Sequence, residues 1–182
     1  MRGIEVPELT EDFTADPVEL FFDLGYVFAF SQLVGHLIHH PDWKGAGEAG
    51  LLFILMWMAW SQFTWSANAV SGNGRPVRVI FLVATAITVA MAASVSTAFG
   101  AGGIVFGLGL ASIYVMALAT MALSLDRDSE LFASMLRFAT PTLVAIGLIL
   151  LGAFLDDGPR VAAWIGSLVA IGGALVIAGS GE

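Results

Sequence analysis

The sequence predicts an all-α protein, a polytopic bundle of about six membrane-spanning helices. Three observations predict it. Hydrophobic residues make up 58% of the 182-residue chain and charged ones only 12%, whereas a soluble domain carries about a quarter charged residues. Apolar runs on the order of 20 residues, enough to cross a bilayer, recur along the chain. Short stretches rich in Gly, Pro, Asn and Asp separate them. The spans fall at roughly 19–39, 49–68, 78–98, 102–124, 132–155 and 161–179.

Residues 1–17 form an acidic tail, with Glu5, Glu8, Glu11, Asp12 and Asp16. The tail has no apolar stretch of signal-peptide type, so the first span is expected to serve as its own targeting signal. That span reads VELFFDLGYVFAFSQLVGHLIHH, Val18 to His40, with carboxylates at its start and imidazoles at its end. HHPDWKGAGE links it to the second span, and SGNGRPVR links the second to the third. FGAGG is a very short break before the fourth span; LDRDSE and DDGPR frame the fifth. Gly103, Gly107 and Ala111 in the fourth span, and Ala162, Gly166, Ala170, Ala174 and Ala178 in the sixth, repeat every fourth residue. Such stripes let helix backbones approach closely, which matters in lipid, where packing drives association. Helix packing within one bundle is the expected use, with a subunit contact kept open for the sixth span.

Orientation follows from Lys and Arg near the span ends. Arg2, Arg75, Arg78, Arg127 and Arg137 fall on one side of a six-span protein, Lys44 and Arg160 on the other. This bias predicts both termini, and the acidic tail, in the cytoplasm.

Composition also excludes functions. No basic cluster exists to bind nucleic acid. The absence of cysteine removes disulfides, thiolate metal sites and cysteine nucleophiles. The only lysine, Lys44, lies in a loop, so no membrane-embedded amine can hold a cofactor as a Schiff base. No phosphate-binding loop, G-x-S-x-G or H-E-x-x-H is present. No enzyme activity and no cofactor are expected.

The polar residues of the first two spans are the candidate site. At about 100° per residue, Glu19, Asp23, Tyr26 and Phe30 share a narrow sector of the first helix. An ionised carboxylate within a bilayer costs on the order of 2.5–3.5 kcal/mol, so Asp23 must face protein or water, or be protonated. Glu19 is closer to the interface and is also favoured there by the helix dipole. On the second helix Trp57, Ser61, Thr64 and Asn68 align, flanked by Trp60 and Trp65. They read as an inward-facing polar stripe; an interfacial tryptophan belt is the alternative. His36 and His40 stand at i, i+4, a spacing that can chelate a metal, but the order matches no zinc signature and no metal is expected. Arg137 either snorkels to the interface or pairs with Asp23 or Glu19.

VELFFDLGYVFAFSQL resembles the opening signature of the bacterial low temperature requirement protein A family, a run of the type E-L-F-F-D-L-x-[FY]-V-F-A-[FL]. Trp43 and the pattern of Trp57, Trp60, Thr64, Trp65 and Asn68 extend the resemblance over residues 17–80. The resemblance implies a polytopic membrane protein without an established biochemical activity, associated with growth in the cold. Carried over by position, the signature residues are Glu19, Phe21, Phe22, Asp23, Trp57, Trp65 and Asn68. Typical members are about twice as long and carry an H-x-x-E-R segment that this chain lacks, so a half-length member or an N-terminal portion is expected. A homodimer would then imitate two parallel halves.

The functional expectation is a transporter or channel-like protein for a small solute or ion, using Glu19, Asp23, Tyr26, Trp57, Ser61, Thr64 and Asn68. The alternative is a non-transporting membrane scaffold or cold-adaptation factor, in which the same groups fix one packing.

Overall fold

A computed structural model describes residues 17–68, 75–124 and 130–179, and every one of these segments is helical apart from its turns. The helices are α1 (Pro17–His39), α2 (Trp43–Asn68), α3 (Arg75–Ser94), α4 (Gly103–Ser124), α5 (Glu130–Ala153) and α6 (Asp157–Gly179), with a 3-10 turn at Val95–Thr97. Among the described residues there are thus six helices, in the order of the predicted apolar runs. Among the described residues, Pro17–His39, Val77–Thr97 and Gly103–Ala122 are long and apolar enough to cross a membrane, and Ala139–Ala153 is a shorter apolar helix. The acidic tail lies outside the described residues.

The largest boundary difference is at α2, which begins at Trp43 rather than near 49. Asp42 causes it. Its carboxylate accepts the Gly45 N–H at 2.6 Å and its carbonyl accepts the Ala46 N–H at 3.0 Å, a side-chain N-cap that starts the helix before the apolar run does. Gly45 is required because a Cβ there would run into the His40 carbonyl.

α1 packs on α3 and α2; α3 packs on α4; α4 packs on α2 and α5; and α5 packs on α6. α1 and α2 run antiparallel, since Asp23 meets Trp60, Phe30 meets Phe53 and His36 meets Glu48 in steady register. α1 and α3 run in the same direction, from the Phe22–Phe81 contact to His36 against the Ser96 carbonyl. Phe22, Phe63 and Phe81 interlock with centroids 4.5–5.9 Å apart and form an aromatic layer from α1, α2 and α3. Within lipid such contacts stabilise through dispersion and close fit rather than water exclusion.

The glycine stripe of α4 is used inside the bundle. A Cβ on Gly107 would stand 2.6 Å from the Ala153 Cβ of α5, and one on Gly103 would stand 2.5 Å from the Arg160 Cζ. In α6 the buried face is Ala163, Trp164, Ser167 and Ile171. Of the small-residue stripe there, Ala162 is exposed while Gly166 and Ala170 are half-buried. The tight packing of α6 on α5 comes instead from Gly152, whose Cβ would stand 2.5 Å from Trp164 Cδ1.

Candidate functional site

One hydrogen bond joins the two helices that carry the predicted sets, made by Trp60, which flanks the α2 stripe and is not part of it. Trp60 Nε1 donates to Asp23 Oδ1 at 2.8 Å. Both side chains are half-buried, so the carboxylate sits in the α1–α2 seam with one face held by the indole. A hydrogen bond to an ionised acceptor contributes about 1.5–3 kcal/mol, comparable to the cost of bringing the charge into the membrane. Aromatic rings continue from this point along the seam. Trp60 lies 5.1 Å from Trp57, Trp57 stacks on Phe53 at 6.1 Å, and Phe53 lies 5.1 Å from Phe30.

The stripe on α2 does not face the bundle interior as the sequence suggested. Trp57 is 44% exposed and Trp65 80% exposed, while Ser61 and Thr64 are half-buried on the flank. The interior face of α2 is Leu52, Leu55, Met56, Ala59 and Phe63, side chains whose close fit against the neighbouring helices sets how α2 is turned. Glu19 is half-buried one turn before Asp23. Tyr26 leaves the set. It is 2% exposed and its hydroxyl comes within electrostatic reach of Thr88 on α3 and Tyr114 on α4, not of the α2 stripe. The side chains of Asn68 and Arg137 lie outside the described residues, and so does any pairing of Arg137 with Asp23 or Glu19.

At the opposite end of α1, His36 is buried and its Nε2 lies 3.1 Å from Glu48 Oε2 on α2. Glu48 Oε1 lies 3.7 Å from Lys44 Nζ, so one carboxylate joins an imidazole and an ammonium. The His36 and His40 rings are 4.8 Å apart, with His36 Nε2 directed at Glu48 and Nδ1 at the Ser96 carbonyl. Among the described residues no group of three His, Cys, Asp or Glu side chains is arranged to hold one.

Arg160 was counted in the sequence only as a loop charge. It is buried at the start of α6 and donates to the Gly152, Ala98 and Gly100 carbonyls at 3.2, 2.9 and 3.1 Å. It also approaches Asp156 Oδ1 at 3.5 Å and lies over the Trp164 ring at 5.8 Å. Gly152 lies in the last turn of α5 and Ala98 follows the 3-10 turn, so a cation stands where two chain segments present carbonyls and negative dipole ends. The Gly152 and Gly100 carbonyls also accept the Leu155 and Gly103 N–H groups. Its sequence signal was position. It is an arginine directly after Asp-Gly-Pro at a helix start, opposite the FGAGG turn that brings carbonyls to it.

Apolar helices packed around a layer of aromatic rings, with the few charged groups bonded in helix seams and at helix ends, define a helical membrane protein. The chain belongs to the family described as bacterial low temperature requirement A protein (LtrA), which matches residues 14–177. It is 27% identical over 163 residues to an uncharacterised protein of Rhizobium meliloti (strain 1021), an alignment covering 89% of this chain and 40% of the relative. The chain thus spans less than half the length of that relative. No solved structure matches it.

Proposed function

We propose that this is a multi-pass protein of the bacterial inner membrane, six spans with both termini cytoplasmic, which binds a small solute or ion at the α1–α2 seam in a transporter or channel-like role. The observation that carries the reading is the half-buried Asp23 carboxylate held by the Trp60 indole on a wall of aromatic rings. Carboxylates inside membrane helices commonly belong to ion and proton pathways. With aromatic rings beside it, such a carboxylate favours a cation over an anion. Asp23 is the anchoring charge in this reading, Glu19 a second acceptor toward the membrane surface, and Ser61 and Thr64 the hydroxyls of the flank. No catalytic role is proposed for any of them.

Purified protein in lipid, wild type and Asp23→Asn, tests this by thermal stability across a panel of ions and pH values, followed by flux in proteoliposomes. A ligand- or pH-dependent shift that the variant loses, together with lost flux, supports the reading. Equal responses from both proteins, with the variant only less stable, remove it. The second reading, a non-transporting scaffold, draws on the outward exposure of Trp57 and Phe53, 44% and 43%, a surface suited to a partner helix. It predicts loss of stability or assembly in Asp23→Asn with no solute dependence.

A further inference from the structure

We propose that the hydroxyls of Tyr26, Thr88 and Tyr114 form a binding site for an internal water molecule at the centre of the bundle, shared by α1, α3 and α4. The chain has two tyrosines, and both contribute. Tyr26 is 2% exposed and Thr88 and Tyr114 are 0% exposed. None of the three oxygens has a hydrogen-bond partner of good geometry among the described residues. The Tyr26 and Thr88 hydroxyls are nevertheless near enough to interact directly, and Tyr114 lies within longer electrostatic reach of Tyr26.

Hydroxyls elsewhere in these helices do not behave this way. Thr85 bonds back to the Phe81 carbonyl at 2.8 Å, Ser94 to the Met91 carbonyl at 2.6 Å and Ser112 to the Leu108 carbonyl at 2.7 Å, the usual solution for a hydroxyl in a membrane helix. Thr88 forgoes it. Its Cγ2 methyl packs against Gly25, 3.2 Å from where a Cβ would stand. The glycine leaves room for that methyl, and no back-bond holds the Thr88 hydroxyl.

The chemistry selects the ligand. Three uncharged hydroxyls offer donors and acceptors together, so the occupant must be small, neutral and able to do both. Water meets this description, and two to four polar partners are what a buried water requires. A cation would find no charge in this set, since Asp23 is engaged by Trp60 on the α2 side. Toward the start of α1 the layer of Phe22, Phe63 and Phe81 closes the site. Toward the other end lie Ala29, Leu33, Met91 and Val95, all buried. The site is therefore a closed hydration point, separate from the α1–α2 seam and independent of whether that seam binds a solute.

Tyr26→Phe, Tyr114→Phe and Thr88→Val each delete one hydroxyl and keep the ring or the methyl that packs on Gly25. Their melting temperatures in the full chain, singly and in pairs, test the proposal. A bridging water predicts that every single variant melts lower than wild type, and that pairs fall by less than the sum of their singles. Solid-state NMR of the tyrosine-labelled wild type in lipid should show magnetisation transfer from bound water to both rings. Three outcomes overturn the proposal. Singles that melt higher and add independently mean that the hydroxyls are simply unpaired. A silent Tyr114→Phe beside coupled Tyr26 and Thr88 variants means a direct two-residue bond. Absence of water transfer to the tyrosines removes the ligand itself.

Discussion

The α1–α2 seam and the junction of α5, α6 and the α3–α4 turn use polar groups in opposite ways. At the junction a single buried guanidinium bonds three backbone carbonyls and approaches a carboxylate. Gly103 and Gly152 leave room for Arg160 and Trp164. Along the seam a carboxylate has one indole donor, its neighbours Trp57 and Phe53 are substantially exposed, and the hydroxyl stripe lies on the flank. A polar group with its bonds completed inside the protein holds the structure; one left partly open is available to something else. The resemblance signature lies over the open region, whereas the closed one is built from residues that signature does not include.

Breaking the closed region should cost most. Arg160→Ala removes three charge-assisted hydrogen bonds and leaves the Ala98 carbonyl without a donor, so a loss of about 3 kcal/mol is expected, read as unfolding in detergent. A variant as stable as wild type would show that the junction does not depend on the guanidinium. Gly152→Ala tests the same region through packing alone. Its Cβ would enter the Trp164 ring edge, which backbone-held α5 and α6 cannot easily yield, and overpacking of this kind costs about 1–3 kcal/mol. A neutral result would mean that α6 slides freely on α5.

In the seam the effects should be smaller and differ between neighbouring tryptophans. Trp60→Phe keeps a ring but removes the donor to Asp23, with an expected cost of about 1–2 kcal/mol, read by thermal melting in lipid. Trp65→Phe, at a site 80% exposed, should change stability by less than about 0.5 kcal/mol. Equal costs for the two would mean that the Asp23 contact contributes nothing and that the rings act only as bulk.

Much of the fold was legible in the chain. Apolar run length gave six helices in the right order, because a membrane helix must satisfy its own backbone and so announces itself by composition. Asp23 stood out for the same reason, a charge in an apolar run. Its partner did not. Trp57, Ser61, Thr64 and Asn68 form the cleaner pattern on α2, yet Trp60, one residue off that stripe, reaches the carboxylate. Helical periodicity ranks faces by polarity, and an indole that donates one hydrogen bond is scored by its bulk.

The sequence by itself determined the helices and the α4 glycine stripe that packs on α5, since each depends on residues close together in the chain. Only the tertiary structure decided which way each helix turned. It sent Tyr26 to α3 and α4 rather than to α2, buried His36 against Glu48, and placed Arg160 among carbonyls some 60 residues away in the chain. The physical reason is that hydrogen bonds and ring contacts form between atoms a few ångströms apart. Neither a composition nor a period specifies which faces of two distant helices will meet.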